Sequence, residues 1–161
     1  MLVFIKEVLA NGSCFYNSIS AQTNINSSYL RDSVANFLQN VALDPKHKFM
    51  SQLVFYADDQ KLSIPKYIEK TRKCLWAGPF ETEILSLLLE RRIQIYNMKD
   101  LEKYSISDCI YDLKHISPIV DFGDKRKRPL MVVIHGYKPK KGKHGYHYDA
   151  LIPIKLFTKL H

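Results

Sequence analysis

Between residues 27 and 41 the apolar side chains Leu30, Val34, Phe37, Leu38 and Val41 recur at steps of three and four. That spacing lines one face of an α-helix, and Ser27 and Ser28 supply hydroxyls able to cap its start. A helix with one wet face and one apolar stripe has to lie against another layer. The rest of the chain must provide it.

The same reading extends outward from this helix. Residues 2–9, rich in Val, Ile and Phe, form a short strand ending at the turn-forming pair Asn11-Gly12. From Ser13 the positions Phe15, Ile19 and Ala21 fit a buried helix whose first turn holds Cys14. A third helix is expected over 65–73, with Tyr67 and Ile68 inward, and a fourth over 81–90, with Ile84, Leu85, Leu87 and Leu88 apolar. Residues 44–63 carry no clear period. Strands follow at 92–96, 130–135 and 146–152, the last two joined by a basic hairpin loop over 136–145. A helical first half and a strand-rich second half imply an α+β fold, with a small, mostly antiparallel sheet flanked by helices, as one domain over residues 1–161.

Composition narrows the classes. With hydrophobic residues at 46% of 161, the chain has enough apolar side chain for one core. Its longest apolar runs, 1–5 and 84–89, are far short of a bilayer span, so no membrane partner is expected. Cys14, Cys74 and Cys109 make neither an even disulfide set nor a CxxC pair, which fits a reducing, cytoplasmic setting and no structural zinc. The net charge of +8 is concentrated partly in 125–128 (KRKR) and 138–143 (KPKKGK). Such clusters can attract nucleic acid, although solvated loop charge is the plainer reading.

Two short segments carry chemistry. Asn11-Gly12-Ser13-Cys14 sets a thiol behind a tight turn at a helix start, where the helix dipole favours a thiolate and backbone N–H groups of residues 12–14 can meet an oxyanion. By itself the tetrapeptide is weak evidence, since a cysteine near a helix start is more often a buried structural residue. The second segment is Tyr146-His147-Tyr148-Asp149. On a strand, His147 and Asp149 share a face, so the carboxylate can hold the imidazole in one tautomer while the other ring nitrogen meets the thiol. Tyr146 and Tyr148 share the opposite face, read as core and cleft wall respectively. Trp76 is carried as a cleft candidate, although it and Glu81 fit a structural role at the head of the fourth helix. Cys74 and Cys109 are expected to be small buried hydrophobes, and His135 and His144 rank behind His147 as base.

Taken in order, these pieces resemble the ovarian-tumour (OTU) family of papain-like cysteine proteases. The resemblance runs through NGSCFYNSIS (11–20), Leu30-Arg31, Tyr67-Ile68, Trp76-Ala77-Gly78-Pro79-Phe80-Glu81, the strand IQIY (93–96) and GYHYDAL (145–151). Asn11 stands where the family usually has Asp, and Ala77 where it has Gly. What the resemblance implies is a deubiquitinase: Cys14 as nucleophile, His147 as base, Asp149 as the acid that orients it, and Asn11, Gly12 and Ser13 shaping the oxyanion turn. It implies ubiquitin or a ubiquitin-like modifier as partner, docking over 44–63 and 99–124, and no metal or organic cofactor. Asn11 can hold the turn but supplies no charge, which leaves Asp149 to act alone.

Two alternatives stand beside it: an OTU-like domain that binds ubiquitin without cleaving it, and a basic nucleic-acid-binding module. A core that starts within the first fifteen residues fits a small viral protein or a domain excised from a larger chain. A viral source would make antagonism of host ubiquitin signalling the expected role.

Overall fold

The computed structural model describes residues 1–136 and 147–155. Strand β1 (Leu2–Lys6) leads into five helices, α1 (Cys14–Thr23), α2 (Ser27–Leu43), α3 (Met50–Asp59), α4 (Ile64–Lys73) and α5 (Pro79–Leu89). Then come β2 (Ile93–Asn97), the short helix α6 (Met98–Glu102), the strands β3 (Ser105–Ser107), β4 (Ile110–Asp112) and β5 (Val120–Phe122), and finally β6 (Leu130–His135) and β7 (His147–Pro153). The fold is α+β.

All seven strands join one sheet in the order β3-β4-β1-β7-β6-β2-β5. Only β2 and β6 pair in parallel; the other neighbours are antiparallel, so the sheet is mixed and mostly antiparallel. Strand alternation sorts side chains between two cores. Ile93, Ile95, Leu130, Val132 and Tyr148 join the main core with α1–α5. Tyr96, Met131, Val133 and Leu151 turn to a smaller one with Val3, Leu101 and Tyr111.

The stripe on α2 behaves as its spacing requires: Leu30, Val34, Leu38 and Val41 are fully buried. Asn26, rather than a serine, caps this helix, accepting from the Ser28 N–H at 2.9 Å. Helix α5 starts two residues earlier than expected, because the Glu81 carboxylate reaches back to the Gly78 N–H at 2.8 Å and caps it. Ile84 and Leu85 are buried as expected, whereas Leu87 and Leu88 are exposed. Helix α3 fills part of the unassigned 44–63 segment. It buries only Leu53 and Ala57 and leaves Val54 and Phe55 exposed.

The helix carrying Cys14 is fixed to the sheet where β6 and β7 lie. Gln22 on α1 bonds the Met131 backbone twice, donating to its carbonyl at 2.8 Å and accepting from its N–H at 3.1 Å. Phe15 meets the Tyr148 ring edge-on at 5.5 Å. The expected hairpin loop and His144 lie outside the described residues. The antiparallel pairing of β6 with β7 lies within them.

Candidate active site

The nucleophile turn is held by backbone and amide groups. Asn11 does most of this: its side-chain oxygen accepts from the Ser13 N–H at 3.0 Å and from Asn17 at 3.2 Å, while its carbonyl accepts from the Cys14 N–H at 3.1 Å. Gly12 is favoured here by a close approach. A Cβ at that position would stand 3.2 Å from the Cys74 carbonyl oxygen.

Below the turn lies Arg31, 4% exposed, with its guanidinium 4.6 Å from the Tyr16 ring centre. It donates to the Gly12 carbonyl, to Ser13 Oγ at 3.2 Å, to the Thr71 carbonyl at 2.8 Å and to the Leu75 carbonyl at 3.0 Å. One side chain thus ties the turn to α4 and the connection behind it. Sequence reasoning had Arg31 only as half of a Leu-Arg pair. A charged residue inside an apolar stripe was the available signal.

Cys14 is 1% exposed. Burial pushes its thiol up from the ordinary value, outweighing backbone hydrogen bonding from Tyr148, Phe15 and Cys14 itself, and the Asp149 carboxylate pushes the same way. The helix start was expected to favour a thiolate. Desolvation opposes that, disfavouring the charged form.

Across from the turn, Asp149 is 3% exposed and lies between two imidazoles. Its Oδ1 is 2.9 Å from His147 Nε2 and accepts the Val8 N–H at 2.8 Å. Its Oδ2 is 2.9 Å from His135 Nε2. The His147 Nδ1 is buried and has no hydrogen-bond partner among the described residues. With a proton on Nε2 facing the carboxylate, Nδ1 carries the lone pair, the form a general base needs. Val8 and His135 are contacts that sequence reasoning missed, since both depend on strand register.

The other expected residues divide. Tyr148 is 4% exposed and sits in the main core, its hydroxyl donating to the Ala77 carbonyl at 3.0 Å. It supports the site from beneath, in place of the expected cleft wall. Tyr146 lies outside the described residues. Trp76 is 38% exposed, and its two neighbours are anchored: the Leu75 carbonyl to Arg31 and the Ala77 carbonyl to Tyr148. Glu81 is buried and accepts from the Tyr67 hydroxyl at 2.6 Å, a structural contact. Cys74 and Cys109 are exposed, contrary to expectation, because Cys74 ends α4 and Cys109 lies in the turn between β3 and β4.

Within the basic cluster 125–128, Arg126 pairs with Asp124 at 2.8 Å and Lys127 donates to the Glu90 carbonyl at 2.7 Å. The cluster 138–143 lies outside the described residues. Among the described residues, no three His, Cys, Asp or Glu side chains are grouped to hold a metal, and no helix is long and apolar enough to cross a membrane.

A family model described as OTU-like cysteine protease matches residues 9–116. The chain belongs to the OTU family. The matched segment contains Cys14 and Arg31, while His147 and Asp149 lie beyond it. Solved OTU structures share the fold. The viral OTU domain protease of Dera Ghazi Khan virus is 18% identical, covering 96% of this chain and 83% of its own, with a TM-score of 0.61. The Hazara virus OTU, solved bound to ubiquitin, is 18% identical over 93% of this chain and 80% of its own, with a TM-score of 0.55. An OTU deubiquitinase from Wolbachia pipientis wMel is 16% identical over 93% and 88%, with a TM-score of 0.56. A search of curated proteins gives no match.

Proposed function

We propose that this chain is a thiol-dependent isopeptidase that releases ubiquitin, or a ubiquitin-like modifier, from lysine side chains. The observation that carries the reading is the His147 ring: Nε2 on Asp149 and a buried Nδ1 with no hydrogen-bond partner among the described residues, in an OTU-family chain with Cys14 at the head of the helix packed on β7. Three of the similar OTU structures were solved with ubiquitin bound, which supports the choice of partner.

In this mechanism the modifier's tail brings its terminal glycine carbonyl to Cys14. His147 Nδ1 takes the thiol proton as sulfur attacks, so the thiolate forms in the encounter with substrate. The tetrahedral oxyanion needs donors. Among the described residues the Ser13 and Cys14 N–H groups are engaged by Asn11, whereas the Gly12 N–H makes no such bond. Gly12 is then the first donor, and Cys14 joins as its 3.1 Å bond to Asn11 opens. The oxyanion collapses, the C–N bond breaks, and His147 hands its proton to the departing lysine amine. Water, deprotonated by His147, cleaves the thioester and frees the modifier's carboxylate. Asp149 compensates the imidazolium in each half-reaction. The modifier's body would dock on the exposed apolar side chains of the two expected segments, Val54 and Phe55 in one and Tyr104, Ile106 and Ile119 in the other.

A second reading has its own support. A buried thiol with raised pKa and a turn whose N–H groups are engaged also suit a domain that binds ubiquitin without cleaving it. Cleavage of an isopeptide-linked ubiquitin substrate separates the two. Cys14→Ala and His147→Ala should each reduce turnover by about three orders of magnitude or more, as for members of one catalytic unit. Cys74→Ala and Cys109→Ala should leave it unchanged. No turnover by the wild-type chain, with ubiquitin still bound, would establish the second reading.

A further inference from the structure

The pairing of β6 with β7 sets His135 directly opposite His147. Their rings stack 5.6 Å apart at 30°. Asp149, two cross-strand pairs further along, faces both: Oδ1 is shared by His147 and the Val8 N–H, and Oδ2 has His135 Nε2 at 2.9 Å. The Oδ2 contact has ion-pair distance but lies off the line of a hydrogen bond, and His135 Nε2 is buried with no other partner among the described residues. An almost fully buried carboxylate needs a partner on each oxygen. His135 is the side chain that meets the second one.

We infer that His135 is a positioning residue: its Nε2–H holds Asp149 Oδ2, so that Oδ1 stays on His147 and the His147 Nδ1 keeps its lone pair for Cys14. This rests on the reading of Cys14 and His147 as the catalytic pair. Without His135 the carboxylate is fixed through Oδ1 alone and can turn about its Cβ–Cγ bond, carrying Oδ1 away from His147. The imidazole then loses both the bond that selects its tautomer and the ring stacked on its flank. A neutral His135 donates without cancelling the carboxylate's charge, which remains available to compensate the His147 imidazolium. An arginine or lysine there would neutralise it.

The test compares His135→Gln, whose amide can still donate, with His135→Leu, which cannot. Three measurements apply to each: kcat and KM on an isopeptide-linked ubiquitin substrate, the rate at which iodoacetamide alkylates Cys14 in the free protein, and the imidazole tautomers by nitrogen NMR. His135→Leu should lower kcat about tenfold to 100-fold with KM unchanged, the expected scale for a misplaced catalytic group. It should also slow alkylation and give His147 a mixture of tautomers, while His135→Gln stays near wild type in all three. A folded His135→Leu protein with wild-type kcat, or with His147 still wholly in the Nε2–H form, would overturn the inference. If the wild-type chain does not cleave ubiquitin, the deubiquitinase reading fails, and alkylation and tautomers still judge His135. If neither variant folds, the wild-type spectrum decides: a His135 proton on Nε2 supports the inference, and one on Nδ1 with Nε2 bare refutes it.

Discussion

The two halves of the candidate site are built by opposite means. The nucleophile turn is a backbone structure in which Asn11 ties three groups within seven residues and a buried Arg31 clamps it from below through carbonyl oxygens. The strand pair β6–β7 holds its chemistry in side chains, with one carboxylate between two imidazoles and, among the described residues, no charge partner beyond them. The first half depends on shape. The second depends on charge and on proton position. A substitution in the turn should therefore act through stability and geometry, and one in the strand pair through turnover with the fold intact.

After loss of Cys14 or His147 themselves, the largest effect should come from the carboxylate. Asp149→Ala removes the acceptor for His147 and for the Val8 N–H, and should lower kcat by about 10²–10⁴-fold, the range for losing effective general-base catalysis. Asp149→Asn keeps a hydrogen-bonding oxygen and should retain more activity. Steady-state kinetics on both variants check this, and equal, negligible losses would make Asp149 an ordinary buried residue.

On the other side of the comparison, Arg31→Leu leaves the Gly12, Thr71 and Leu75 carbonyls without their donor and should cost roughly 2–3 kcal/mol of stability. Arg31→Lys should recover only part, since one ammonium cannot span the positions a planar fork reaches. Denaturant midpoints measure it. Unchanged stability in the leucine variant would remove the clamp from the account.

The smallest effect belongs to Asn11→Asp. The atom of Asn11 that serves the turn is an acceptor oxygen, which a carboxylate also provides, so turnover and stability should both stay close to wild type. A folded but inactive Asn11→Asp variant would show that charge matters in the turn as well, and the contrast between the halves would fail.

The same contrast explains what could be read from the sequence. Local features were legible: the α2 stripe, the thiol behind Asn11-Gly12, and His147 two residues from Asp149 all follow from spacing within a few positions. Helix α3 was not, because its two buried residues make too narrow a stripe and Val54 and Phe55 place apolar groups on its wet side. Strands β3, β4 and β5 span three residues each, too few to show alternation. His135 was passed over because its meeting with Asp149 is set by the register of β6 on β7 across a long connection, which no local pattern encodes. Arg31 was visible as a residue but not as a clamp, since its acceptors are carbonyls from three distant segments.

The central claim is that Cys14 is the nucleophile of an enzyme acting on ubiquitin or a close relative of it. The most direct measurement is capture by a ubiquitin probe with a thiol-reactive C-terminus, with the modified residue located by mass spectrometry. The account predicts one covalent adduct on Cys14, absent in Cys14→Ala, much slowed in His147→Ala, and unaffected by added RNA. An adduct on Cys74 or Cys109, or no capture by probes built on ubiquitin or its relatives together with tight, salt-dependent RNA binding, would contradict it.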